Sequence, residues 1–448
     1  MGLQALVLVS VRTIRSDSRH HPYDRWGANR HVIWGGITSC SLFEWPYGLL
    51  EYHHGGDDMP QYTVRLRQPV PRSYVDELSR RIFFVSEQIE DYSIDPSDDD
   101  VTSILIITRE PINVEVLARK IDELLTKQVL TQRPPEATTV WRSPHQPQII
   151  PGTFEQLLEN GDAVEMGEGQ FALGAPLITL MTCLDRMLRD IAINRFAAVE
   201  YQYPTLINTD ALYRTGYPVS FPHFLMAVSR LHADIDSYEA FLRQLTSSRD
   251  LASTLSAHSR HAEYMLPPTM CFHTYHHFRQ RRLSSDTGIV VTSRGKSFRY
   301  ESRYRRGLER LWDFTIREIV FLGSREQVIE QRQSFLAATT DLISQLGLGG
   351  YVQVANDSFS GEQTAAQILS QRLLHLKYEL RLPVTDGRTV AAGSFNLHGT
   401  TFSEPFGIEV TEGRLAHTAC VGFGLERFTY AFICQHGADP TRWPVLSF

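Results

Sequence analysis

Residues 297–323, SFRYESRYRRGLERLWDFTIREIVFLG, constrain the fold most. Two strand-like pieces flank a loop crowded with arginine. Phe298 and Tyr300 alternate with Arg299 and Glu301 on the first piece; Phe314 and Ile316 are read as alternating with Arg317 and Glu318 on the second. Such a hairpin must lie in an antiparallel sheet, and it is expected to present one row of charged side chains on a sheet face. Two readings of that row compete. It is a solvated basic hairpin, or it is a polyphosphate site, because the planar arginine fork suits phosphate oxygens.

A second segment, residues 417–437 (HTACVGFGLERFTYAFICQHG), reads as strand, turn and helix. Gly422 and Gly424 permit close approach of backbone to a ligand or a neighbouring strand. Residues 425–435 then carry Phe428, Ala431 and Phe432 at helical spacing, with Arg427 in the first turn. From Ile289 onward strands and helices alternate irregularly. That pattern predicts an α+β fold, an antiparallel sheet with helices packed on it, and not a doubly wound parallel sheet. Neither GxGxxG nor GxxxxGK[ST] occurs, so no dinucleotide fold and no P-loop is signalled.

The upstream chain reads as a smaller α+β unit, residues 1–141. Strands are expected at 4–12, 31–42, 48–53, 61–68 and 102–108, a helical stretch from Pro71 through Tyr92, and a second amphipathic helix over 113–129. The Pro-rich segment 142–152 (RSPHQPQIIPG) is the expected linker, followed by one continuous domain, 153–448. In that domain Leu177, Met181, Leu184, Leu188 and Ile191 form an apolar stripe suited to core or dimer packing. Residues 197–203 are strand-like and end at Pro204, and 223–259 are expected to be helical. With 448 residues, 42 % apolar and 21 % charged, the chain is a globular protein of several cores. Its net charge of −7 weakens a role centred on nucleic acid. No run of apolar residues is long enough to span a membrane, and the N-terminal segment reads as a strand and not as a signal peptide. Five scattered cysteines, Cys40, Cys183, Cys271, Cys420 and Cys434, fit a reducing, cytoplasmic setting.

Taken together, these segments resemble the class II aminoacyl-tRNA synthetase catalytic domain. Residues 197–204 look like motif 1 with its terminal proline. Phe298-Arg299-Tyr300-Glu301 matches the fRxE of motif 2, with Arg310, Phe314 and Glu318 on its second strand, and Gly422 through Arg427 matches the GxGxxR of motif 3. LPPTMCFHTY, REIVFLG, VANDSF, LKYEL, SFNLH and HTACVGFGLERF are similar to amino acid:[carrier protein] ligases, themselves similar to the core of methanogen-type seryl-tRNA synthetases. The resemblance covers roughly 154–448 and leaves 1–141 without a counterpart.

The resemblance implies ATP-dependent activation of a small amino acid as aminoacyl-AMP. Transfer to the phosphopantetheine thiol of an acidic carrier protein would follow; the alternatives are a tRNA-using ligase or a non-catalytic paralogue. Arg299 would bind the α-phosphate and the carboxylate. Phe314 would stack on adenine with Arg427 on its other face, Glu301 would accept from the adenine amino group, and Arg310 would complete the ATP site. Asn356, Asp357, Glu379 and Asn396 would line the amino-acid pocket. Cys271, Glu318 and Cys420 fall where that branch binds zinc; read without the resemblance, both cysteines are ordinary buried thiols. Two departures stand out. Ser358 replaces the proline that usually follows Asp357, and residues 389–393 lack the acidic magnesium ligand of synthetases, leaving Glu379 as the nearest candidate for Mg²⁺. Residues 233–259 and the runs Arg279–Arg282 and Arg303–Arg306 are expected to meet the acceptor. A homodimer through 177–204 is implied as well.

Overall fold

A computed structural model describes residues 41–43, 50–54, 59–79, 81–94, 100–130, 138–283, 288–301, 307–355, 374–410 and 413–444. The strands expected at 4–12 and over most of 31–42, together with Cys40, Asn356, Asp357, Ser358 and Arg303–Arg306, lie outside them.

An eight-stranded sheet organises the larger part of the chain. Its strands are β1 (Thr139–Arg142), β2 (Val199–Tyr201), β3 (Ile289–Phe298), β4 (Asp313–Gly323), β5 (Tyr351–Val354), β6 (Lys377–Thr385), β7 (Arg388–Gly399) and β8 (His417–Gly424). They run in the spatial order β1-β5-β6-β7-β8-β4-β3-β2. Every pairing is antiparallel except β3 with β2, where Val291 stands opposite Val199 in parallel register. The edge strand β1 falls at the junction of the upstream unit and the linker.

Period-two alternation sorts the central strands onto two cores. Ile319 and Phe321 of β4, with Ala419, Val421 and Phe423 of β8, join the core under helices α1 (Leu177–Phe196), α3 (Arg325–Gln345) and α4 (Leu425–His436). Val320 and Leu322, with Cys420, face the opposite core under helix α2 (Cys271–His277). The same rule corrects one expectation. Arg317 and Glu318 are adjacent on a strand, so they cannot share a charged face. Glu318 joins the Cys420 side. Arg317, 2 % exposed, donates to both carboxylate oxygens of Asp185 on α1 at 2.7 and 2.9 Å and to Glu200 of β2 at 2.9 Å. This triad ties the motif 1 elements to the central strand. Removing one partner of a buried pair leaves the other charge uncompensated, so Asp185→Ala should cost about 3–5 kcal/mol, read as a lower urea midpoint.

A separate five-stranded antiparallel sheet is built from Ser41–Phe43, Leu50–His54, Pro60–Pro71, Asp100–Thr108 and Ile89–Ile94, in that order. It has its own core with the helix Val114–Leu124. The helical stretch expected through Tyr92 stops early. Ile82–Val85 forms one 3₁₀ turn, and Ile89–Ile94 is an edge strand paired with Asp100–Thr108. The apolar residues at helical spacing are satisfied by a turn followed by a strand, because Ile89 buries equally well on the sheet. Residues 223–259 are likewise only partly helical: Met226–Val228 is a strand, and Ile235–Ser248 and Leu251–His258 are the helices.

Candidate active site

The cleft face of the large sheet forms one wall of a cavity of about 2150 Å³. Arg299, Glu301, Phe314, Glu318, Glu379, Asn396, Cys420 and Arg427 all line it. Of the expected site residues that are described, Cys271 and Arg310 line it too. Residues of the smaller sheet unit, among them Arg81, Phe84 and Lys120, contribute the far side. The Phe84 ring lies 4.5 Å from that of His223 and 6.1 Å from that of Phe224. The Phe224 carbonyl accepts from the Tyr300 N–H at 3.2 Å. The smaller unit therefore packs on His223 and Phe224, the residues that back the turn carrying Arg299 and Glu301.

Glu301 is the hub of the cationic end. It accepts from Arg310 at 2.6 Å and from Arg427 at 3.3 Å. Burial alone would push its carboxyl up, but Arg310, Arg427 and Arg299 outweigh it and hold it down at about 2. Burial lowers Arg427 to about 10, with Glu301 opposing. The Arg427 Nε also donates to the Glu309 carbonyl at 2.6 Å, and Arg388 pairs with the Glu309 carboxylate at 3.2 Å. Arg299 is fixed differently. Its Nε donates to the Pro268 carbonyl at 3.1 Å and its guanidinium lies 5.3 Å over the Phe314 ring. One face of the ring expected to stack on adenine is thus taken by Arg299, and the carboxylate expected to meet the adenine amino group is the counter-ion of two arginines. Glu426, next to Arg427, takes the Thr315 N–H on both oxygens at 2.8 Å, which locks the start of α4 to β4.

Three anion-forming donors converge at the middle of β4. Cys271, Glu318 and Cys420 are all buried, and their ligand atoms lie within 4.8 Å of one another. The register explains it. Val320 pairs with Cys420 and Glu318 with Gly422, so Glu318 and Cys420 are diagonal neighbours on one face. A Cβ at Gly422 would crowd Ile316 at 3.1 Å and only touch the Glu318 oxygen at 3.7 Å, so glycine makes room there for the Ile316 side chain. Cys271 opens α2 above them, and its backbone N–H donates to Glu318 at 2.7 Å. The Thr269 hydroxyl donates to the same carboxylate at 2.9 Å. Left to themselves the three donors cannot all ionise. Burial first, then Cys420, pushes Glu318 up to about 8; burial pushes the Cys271 thiol well up; the bond with Cys271 pulls Cys420 well down. A dication is what would let all three shed their protons. Two thiolates and a carboxylate are a zinc-type donor set.

The amino-acid side of the cleft differs from expectation in one respect. Glu379, the nearest candidate for Mg²⁺, sits between Lys377 at 3.4 Å and Arg381 at 3.3 Å. Two cations flank that carboxylate, and among the described residues it belongs to no cluster of three metal-type donors. Asn396 does reach the three-donor centre: its Nδ2 donates to the Cys420 sulfur at 3.5 Å. His398, two residues on, lies 3.7 Å from the same sulfur. Sequence reasoning quoted His398 inside SFNLH but gave it no role; its place at i+2 from Asn396 on a strand was the available signal.

Residues 254–436 match the family described as the tRNA synthetase class II core domain (G, H, P, S and T). The chain is 32 % identical over 280 residues to amino acid–[acyl-carrier-protein] ligase 2 of Bradyrhizobium diazoefficiens, covering 61 % of this chain and 82 % of that protein. It is 29 % identical over 287 residues to the type-2 serine–tRNA ligase of Methanococcus aeolicus, covering 62 % of this chain and 55 % of that one. The structure is similar to that of M. kandleri SerRS in a complex with A. aeolicus tRNASec, at a TM-score of 0.61 and 22 % identity, over 89 % of this chain and 77 % of the other. That share is more than the residues after the linker supply, so the likeness in fold reaches into the smaller sheet unit. Among the described residues no helix is long and apolar enough to cross a membrane. The motif 2 hairpin, the motif 3 strand and helix, the antiparallel sheet that carries them and these relatives together make the chain a member of the class II synthetase family, a ligase of the adenylate-forming type.

Proposed function

We propose that this ligase activates a small amino acid with ATP and passes it to the phosphopantetheine thiol of an acidic carrier protein. The observation that carries the proposal is the single cleft that joins the Arg299–Glu301–Arg427 cluster to the Cys271–Glu318–Cys420 centre. In the first step a carboxylate oxygen of the amino acid attacks the α-phosphorus of ATP. The bond to the β-phosphate oxygen breaks and pyrophosphate leaves. Arg299 and Arg427 neutralise charge on the phosphates, Arg310 keeps Glu301 in place, and Phe314 offers a ring face to adenine. In the second step the carrier's sulfur attacks the acyl carbon. The bond to the adenylate oxygen breaks, AMP leaves with that electron pair, and the thiol proton goes to solvent or to the departing phosphate. Cys271, Glu318 and Cys420 would hold a Zn²⁺ ion, which when bound supplies a Lewis-acid anchor for the substrate's neutral α-amine. By the resemblance Asn356 and Asp357 would bind the amino acid together with Asn396, while Glu379 is oriented by its two cations. Mg²⁺ would accompany the triphosphate.

The relatives named as acyl-carrier-protein ligases support the acceptor, as does the surface. The helices Ile235–Ser248 and Leu251–His258 expose Ile235, Leu242 and Leu251. Arg281 lies over Phe278 at 5.7 Å, while Arg282 is paired with Glu409 at 3.5 Å. Arg281 is thus the cleaner probe of steering. Arg281→Glu should slow transfer to a holo-carrier several-fold and flatten its salt dependence, with adenylate formation unchanged, in paired transfer and exchange assays. The apolar residues Ile178 (48 % exposed) and Val199 (51 % exposed) on α1 and β2 support a two-fold interface there. A dimer mass in light scattering at micromolar concentration is expected.

A second reading, a tRNA acceptor, is favoured by one observation: the fold likeness to a synthetase in complex with tRNA extends beyond the catalytic sheet. Purified protein, ATP and amino acid offered either holo-carrier or total tRNA decide between them. The proposal expects an aminoacyl thioester on the carrier, seen as a mass increase. Aminoacylated tRNA with an unloaded carrier overturns it.

A further inference from the structure

We propose that His398 is a positioning residue of the three-donor centre: its imidazole holds the Cys420 sulfur toward Cys271 and Glu318, and Tyr275 selects the ring nitrogen that does so. The inference rests on the reading that this centre takes a metal ion.

Strand geometry puts the parts together. Asn396 and His398 are alternate residues of β7, and Asn396 pairs with Cys420 of β8. The ladder shifts register between Leu397 and Gly399, and both side chains reach the Cys420 sulfur. The His398 Nε2 is 3.7 Å from that sulfur, and the Asn396 Nδ2 is 3.5 Å from it. On the other side of the ring, Nδ1 lies 3.3 Å from the Tyr275 hydroxyl and 3.5 Å from the Thr418 hydroxyl. Thr418 can direct its own proton to the Gly399 carbonyl, 3.4 Å away.

A neutral imidazole has one donor and one acceptor nitrogen. Tyr275, fully buried, has a proton to place, and Nδ1 is in reach to accept it. The ring proton then resides on Nε2 and points at sulfur. The order is Tyr275 O–H to Nδ1, then Nε2–H to Cys420. Phe402 fixes the ring from the side: its centroid is 4.8 Å from that of His398 at 68°, and it stacks on Tyr275 at 4.6 Å and 16°. A thiolate that receives two N–H bonds from one strand has one direction left for a metal. Partners of this kind commonly matter 10–100-fold in metal affinity, by about that factor when removed.

The test compares full-length wild type, His398→Leu and His398→Gln, each first shown to melt near the wild-type temperature. Zinc-loaded protein is mixed with a chromogenic chelator and release is followed; cobalt-loaded protein is read by its thiolate-to-metal absorption band. His398→Leu should release zinc about tenfold faster and shift the cobalt band. His398→Gln, whose Nε2 can donate from a similar place, should recover most of both. Wild-type release and an unmoved band in His398→Leu overturn the proposal, leaving the ring as packing. If wild type binds neither metal, the metal reading itself fails, and a second arm judges His398 alone. In metal-free protein, mass spectrometry follows modification of Cys420 by methyl methanethiosulfonate. Slowing in His398→Leu but not in His398→Gln supports the contact; equal rates in all three overturn it.

Discussion

Arg299→Ala should lower amino-acid-dependent ATP–pyrophosphate exchange by about 10²–10³-fold, the usual loss for a fixed donor aimed at developing charge. The guanidinium is already held in the cleft, by the Pro268 carbonyl on one side and the Phe314 ring beneath it. No reorganisation is then needed when charge builds on the α-phosphate. Its neighbours cannot replace it. Arg310 is held by Glu301, and Arg427, held by Glu301 and the Glu309 carbonyl, serves the phosphates from its own fixed place. Stability should change little, because a partly exposed arginine with one hydrogen bond and one ring contact contributes about 1–2 kcal/mol at most. The measurement is exchange at saturating ATP beside a thermal melt of the same preparation. Exchange within a few-fold of wild type would place the phosphate-binding role elsewhere.

Loss of the three-donor centre should have an effect of comparable size. Protein purified without chelator is expected to carry about one zinc per chain, and Cys420→Ala to carry almost none. That variant should lose amino-acid-dependent exchange while still binding ATP, because the cluster around Glu301 owes nothing to the sulfur. Folding should survive the substitution: replacing a buried thiol by a methyl group leaves only a small cavity, costing about 1–2 kcal/mol. Metal analysis by mass spectrometry, with nucleotide binding as the control, separates the two ends of the cleft. A wild-type protein without zinc that still activates an amino acid would rule out the amine-anchoring role.

Some of this was legible before any coordinates. Arg299, Glu301, Phe314 and Arg427 stand in short motifs whose residues are close in sequence, and one hairpin and one strand–helix turn deliver them to a common cleft. Cys271 and Cys420 were legible only by resemblance. Nothing local marks them, because it is the β4–β8 register and the start of α2 that bring them to Glu318. Non-local pairing hid the rest. The strand Ile89–Ile94 read as helix because Val85 and Ile89 keep a four-residue spacing that a turn and an edge strand satisfy as well. Arg317 read as one of a row of charged side chains with Glu318, yet it is buried against Asp185, far upstream on α1. Glu379 read as a pocket residue and the nearest candidate for Mg²⁺, and its neighbours on the same strand face, Lys377 and Arg381, bracket it. In the strand both cations were two residues away, which period-two reasoning would have caught.

The central claim, that this chain makes an aminoacyl adenylate, is tested most directly by ATP–pyrophosphate exchange with each amino acid offered singly to the wild-type protein. The account predicts exchange that depends strictly on a small amino acid and is lost in Arg299→Ala and Cys420→Ala. Zinc-loaded, folded, ATP-binding protein that shows no exchange with any amino acid would contradict it.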